Sequence, residues 1–120
     1  MNNNEKSENV RIKARKAYRE ACEGINVKEN EKIVLECKIS FWCYYFALNI
    51  PEANIKAHEQ VLLEIKDPEY SCLFAEYIEE ANIEEHFKVI INSGDKYWLN
   101  WFIKHVDYKN TKVEEWLLYI

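Results

Sequence analysis

Residues 33–60, IVLECKISFWCYYFALNIPEANIKAHEQ, and residues 61–88, VLLEIKDPEYSCLFAEYIEEANIEEHFK, are two passes through one 28-residue phrase. Leu35/Leu63, Glu36/Glu64, Lys38/Lys66, Phe46/Phe74, Ala47/Ala75, Ile50/Ile78, Glu52/Glu80, Ala53/Ala81, Asn54/Asn82, Ile55/Ile83 and His58/His86 are identical between them. Unrelated segments of this length share only a couple of positions. The step continues outward, because Phe102 stands 28 residues beyond Phe74, and Asn110 stands 28 beyond Asn82. Val89 and Asp95 repeat Val61 and Asp67 at the same distance, which makes a diverged fourth pass. Stepping back places Tyr18 under Phe46, Cys22 under Ile50, Asn26 under Asn54 and Val27 under Ile55. Four units follow, at about 5–32, 33–60, 61–88 and 89–120, within one domain spanning 1–120. Worn terminal copies are what a repeat array shows.

Each unit reads as two helices, A and B. Asp67-Pro68 offers an N-cap followed by proline at the first helical position, and Tyr70, Leu73, Phe74, Tyr77 and Ile78 then recur at helical spacing. Asn82 caps the next helix, with Glu85 three residues on and Ile83, Phe87, Ile90 and Ile91 as its inner stripe, closing at Ser93-Gly94. Gly24 ends the first A helix, Asn26 caps its B helix, and Thr111 with Glu114 forms a capping box for the last. The expectation is all-α, about eight short helices, none of which would be stable alone in water, so neighbouring units must stack. In architecture this resembles the α-solenoid class that holds tetratricopeptide and HEAT repeats. The unit is shorter than either and Asp67-Pro68, Phe74-Ala75 and Ala81-Asn82-Ile83 do not spell the tetratricopeptide signature, so the resemblance implies an arrangement and no binding residues.

Composition agrees. Two Gly and two Pro among 120 residues leave little material for a turn-rich β fold. A net charge of −5 argues against general affinity for nucleic acid or anionic membranes. No apolar run approaches a membrane span of ~20 residues, and the polar start Asn2-Asn3-Asn4-Glu5-Lys6 has no secretion-signal core, so a cytoplasmic protein with reduced thiols is expected. Abundant Asn, Lys, Ile and Tyr match the coding of an AT-rich genome, such as that of a bacterium or phage.

The repeat also serves as a ruler for chemistry. Cys22 falls in the column of Ile50, Ile78 and Val106, Cys37 in that of Ile65, and Cys43 in that of Ser71 and Leu99, so the four Cys are expected to be structural thiols. His58 and His86 share a column and should pack or hydrogen-bond near a helix start. No metal site, no cofactor and no enzymatic constellation is expected: no nucleophile stands beside a base, and no glycine-rich phosphate loop occurs.

Positions that break their columns carry the functional expectations. Val113, Trp116 and Ile120 replace Glu85, Lys88 and Asn92, adding an apolar stripe to the last helix. Two readings stand for it, a homodimer interface or a last helix that closes the core. Phe41, Tyr44 and Leu48 replace Glu69, Cys72 and Glu76, an apolar anchor site with Tyr97 in the same column as Phe41, against burial beneath the first unit. Arg11, Arg15 and Arg19 form an i, i+4, i+8 stripe, whereas the middle of the chain is acidic, with Glu76, Glu80 and Glu84 prominent. The leading expectation is a non-enzymatic protein-binding module, homodimeric through its last helix. An alternative is an inhibitor from a phage or mobile element, similar in size and acidity to anti-CRISPR-type proteins, whose acidic face imitates nucleic acid. A third is nucleic-acid binding through Arg11, Arg15 and Arg19.

Overall fold

The computed structural model describes the backbone of residues 3–120 and the side chains of residues 8–120. Every regular element among them is helical: α1 Asn3–Cys22, α2 Val27–Cys37, α3 Ser40–Asn49, α4 Ile55–Ile65, α5 Pro68–Tyr77, α6 Ile83–Ser93, α7 Lys96–His105 and α8 Lys112–Trp116, followed by a 3-10 turn, Leu117–Tyr119. No helix among the described residues is long and apolar enough to cross a membrane. The period is written into the helix lengths. α3, α5 and α7 have 10 residues each, and α2, α4 and α6 have 11. Only the ends depart, at 20 residues for α1 and 5 for α8.

Local chemistry accounts for the joints. Asp67 Oδ1 accepts from the Tyr70 amide at 3.3 Å, Asp95 Oδ1 from Trp98 at 3.2 Å, Asn54 Oδ1 from Ala57 at 3.2 Å and Asn82 Oδ1 from Glu85 at 3.3 Å. Each satisfies an amide that a helix start leaves without an intrahelical partner. The B helices close through a column of left-handed residues: Lys38 at φ 52°, Lys66 at φ 62° and Gly94 at φ 72°. Two expected caps differ. Asn26 makes no side-chain cap because its own backbone is left-handed, at φ 43°. At the last helix the Thr111 hydroxyl donates to the Tyr108 carbonyl at 2.6 Å instead of capping, and the Glu114 carboxylate accepts from the Asn110 amide at 3.3 Å.

The chain forms two compact units, Met1–Leu62 and Leu63–Ile120. In the first, α1 packs on α2 and α3 around Ala17, Ala21, Val34, Cys43, Phe46 and Ile50. Three small residues, Ala14, Ala17 and Ala21, form the buried stripe of α1 and let its backbone come close to its neighbours. In the second, α5 packs on α6 and α7, and the core gathers Cys72, Ala75, Phe87, Ile90, Phe102, Val106 and Val113. Phe46, Phe74 and Phe102 are fully buried.

The first unit corrects the register expected for it. Stepping back by 28 puts Tyr18 and Cys22 in core columns, yet Tyr18 is half-buried and Cys22 is exposed. The buried residues are Ala14, Ala17 and Ala21, which lie 29 residues before Cys43, Phe46 and Ile50. Val34 still lies 28 before Leu62, and both are fully buried. The extra residue therefore sits in the turn between α1 and α2, where Gly24 at φ 78° and left-handed Asn26 absorb it.

Candidate functional site

The arginine stripe and the aromatic break in α3 meet. Arg11, Ile12 and Arg15 of α1 line a groove of about 380 Å³ with Ile39, Phe41 and Trp42 at the start of α3. A helix places residues four apart on one face, so Arg11 and Arg15 stand side by side along the rim. Both are exposed, and neither forms an ion pair with a carboxylate among the described residues. The opposite wall is built of aromatic rings packed edge-on and tilted against one another. Phe41 meets Trp42 edge-on at 4.7 Å and 84°, and it lies 4.7 Å from Tyr45. Tyr18 braces Trp42 from behind at 5.2 Å, and its hydroxyl accepts from the Asn49 amide group at 2.9 Å. Aromatic faces of this kind take other rings and apolar groups, while guanidinium forks take carboxylates or phosphates.

Not every residue expected here contributes. Arg19 is exposed on α1 but does not line the groove. Tyr44 is buried, so it cannot serve as an exposed anchor; Leu48 remains surface-accessible. Trp42, Ile12 and Ile39 also line the groove, and no break in the repeat marks Trp42, which matches aromatic Tyr70 and Trp98 in its column. Tyr97, 67% exposed in the second unit, repeats the Phe41 arrangement on α7, meeting Trp98 edge-on at 4.9 Å and 89°.

The last helix takes the core-closing role of its two readings as far as Val113 and Trp116 are concerned. Val113 is fully buried, and Trp116 stacks on Phe87 at 6.0 Å beneath the Lys88 ammonium. A fully buried side chain offers nothing to a dimer interface. Ile120, with Leu118 and Tyr119, stays outside at 69%, 79% and 87% exposure. The acidic set is less uniform than its sequence suggests: Glu80 is exposed, Glu76 is half-buried, and Glu84 accepts from the Lys112 amide at 3.1 Å.

The histidines are built into the fold. His58 is fully buried, stacked on Phe46 at 4.9 Å, with Nε2 2.9 Å from Glu31 Oε2. The same carboxylate accepts from the Asn54 amide at 2.7 Å, tying α2 to the start of α4. Burial pushes the His58 pKa down, against the opposing pull of Glu31. Glu59 and His86 occupy the columns of Glu31 and His58 and are also buried. The thiols split in two. Burial pushes Cys43 and Cys72 up to about 12, whereas Cys37 is half-buried and Cys22 exposed, which corrects the expectation that all replace core residues. No group of three or more potential metal ligands occurs among the described residues.

The chain matches nothing compared with it. No family model, no curated protein and no solved structure aligns with it significantly, so the groove must be read from its own chemistry.

Proposed function

We propose that the protein is a non-enzymatic binding module, a short α-solenoid of four 28-residue units, whose partner is a protein. The observation that carries this is the groove, in which two guanidinium groups with no ion pair among the described residues face packed aromatic rings. Its occupant needs a carboxylate-bearing segment with aromatic or aliphatic side chains beside the charges. Interface energy concentrates in aromatic and arginine anchors of this type, and the polar rim supplies orientation and rate more than affinity. The overall charge of −5 does not oppose such a partner, because Arg11 and Arg15 act within a Debye length of ~8 Å at physiological salt.

Selection of random displayed peptides on the immobilised full chain tests this reading. The expected winners pair Asp or Glu with Trp, Tyr, Phe or Leu, and they lose binding to the Arg11→Glu/Arg15→Glu variant. Failure to enrich any motif, or a motif indifferent to that variant, overturns the proposal. The nucleic-acid alternative is separated by titrating a single-stranded oligonucleotide at low salt, where a binder through Arg11, Arg15 and Arg19 shows a steep salt slope.

A further inference from the structure

Resting on the groove reading above, we infer that one occupant of the groove is the segment Glu114–Ile120 of a second copy of the chain, giving a head-to-tail assembly. The segment has the required chemistry in the required order. Glu114 and Glu115 are exposed acids at the start of α8, and Leu118, Tyr119 and Ile120 follow as exposed apolar side chains. Those three are the most exposed large hydrophobic residues among the described ones. They sit on a frame held in place by Val113 in the core and by Trp116 on Phe87. A preorganised segment loses less freedom on docking than a floppy one. Of the two acids, the Glu115 carboxylate makes no hydrogen bond among the described residues, while the Glu114 carboxylate accepts a long one, 3.3 Å, from the Asn110 amide. The groove offers the complement: Arg11 and Arg15 on one wall, and Ile12, Ile39, Phe41 and Trp42 around a space of about 380 Å³. That volume lies at the small end of ligand-sized pockets, suited to a few side chains rather than a whole helix.

Groove and segment are different surfaces, so each copy would use its groove for one neighbour and its segment for another. Such a heterologous contact closes into a ring or continues as an open chain, and it does not stop at a two-fold dimer unless two contacts form at once. Light scattering on the full chain across a concentration series reads this out. The average mass should climb with concentration, with a Kd on the order of 10–100 μM for a contact this small. Arg11→Glu/Arg15→Glu and, separately, Glu114→Lys/Glu115→Lys should each weaken association at least about tenfold through like-charge opposition. An equimolar mixture of the two should re-associate, since reversed rims again face reversed tails. Leu118→Asp/Tyr119→Asp, which alters only exposed side chains and leaves the fold intact, should weaken association similarly.

A wild type that stays monomeric at about 1 mM, or variants that associate as well as the wild type, would overturn the assignment. Absence of association while selected acidic peptides still bind the groove removes only the second copy. Absence of any peptide motif as well removes the groove reading.

Discussion

Acidification should destabilise the first unit through His58, and the structure sets how steeply. The imidazole is fully buried against Phe46 and has one hydrogen-bonding partner, Glu31, at Nε2; its Nδ1 meets no acceptor. Burial holds its pKa below the ordinary 6.5. Between that depressed folded value and 6.5 the unfolded chain binds a proton that the native state does not, so stability rises with pH there and is fully present above 6.5. On acidification it is lost from about pH 6.5 downward. One proton corresponds to about 1.4 kcal/mol for each pH unit. Allowing for partial protonation at 6.5, a drop to pH 5.5 removes up to about 1 kcal/mol, a sizeable part of what a small unit holds. The assay is urea unfolding by circular dichroism at pH 7.5, 6.5 and 5.5 on wild type and His58→Gln. Gln keeps a neutral group that cannot titrate, so its stability should fall less over the last step. Equal slopes in the two proteins, or a wild type that gains stability on acidification, would refute the claim that His58 is buried neutral.

Lys38 and Lys66 occupy left-handed backbone at φ 52° and 62°, where Gly94 stands in the next unit; Lys38→Gly and Lys66→Gly should each raise stability by roughly 1 kcal/mol, measured by denaturant midpoint. A β-carbon at Gly94 would meet nothing within 4 Å, so Gly94→Ala should lower stability by a similar amount through φ alone. Truncation of fully buried Phe74 to Ala is expected to cost roughly 3–5 kcal/mol; an unmoved melting curve would mean the column is not core. With a thiol reagent at neutral pH, exposed Cys22 should react first and half-buried Cys37 more slowly, while Cys43 and Cys72, both pushed up to about 12, should wait for unfolding. Mass spectrometry of the labelled peptides orders them.

The helices were legible because the period places a capping residue, Asn54, Asp67, Asn82 or Asp95, before the apolar stripes of α4 to α7. Their alternation follows from local chemistry that a single unit contains. The groove was half legible. Arginines at a four-residue step announced an exposed face, and Phe41 announced a break, but Trp42 sits among aromatic column-mates and gave no contrast. What brings Arg15 opposite Trp42 is the rotation of α1, which depends on packing of Ala14, Ala17 and Ala21 rather than on any pattern of large hydrophobics. The Glu31–His58 pair stayed hidden for a related reason. It joins residues 27 apart in neighbouring columns, so each partner alone reads as an ordinary member of its own column.

The added residue between α1 and α2 has a consequence for how such a surface comes into being. One residue on a helix is about 100° of rotation. Deleting it, at Gly24 for instance, would put Ala14, Ala17 and Ala21 28 residues before Cys43, Phe46 and Ile50, so the repeat step itself would then hold the alanines inward and Arg11 and Arg15 beside Trp42. The inward face of α1 is chosen by its alanine stripe, and the turn with left-handed Gly24 and Asn26 takes up the odd residue. A lineage could gain or lose a single codon in this turn and keep the groove, as long as Ala14, Ala17 and Ala21 remain the residues that pack inward.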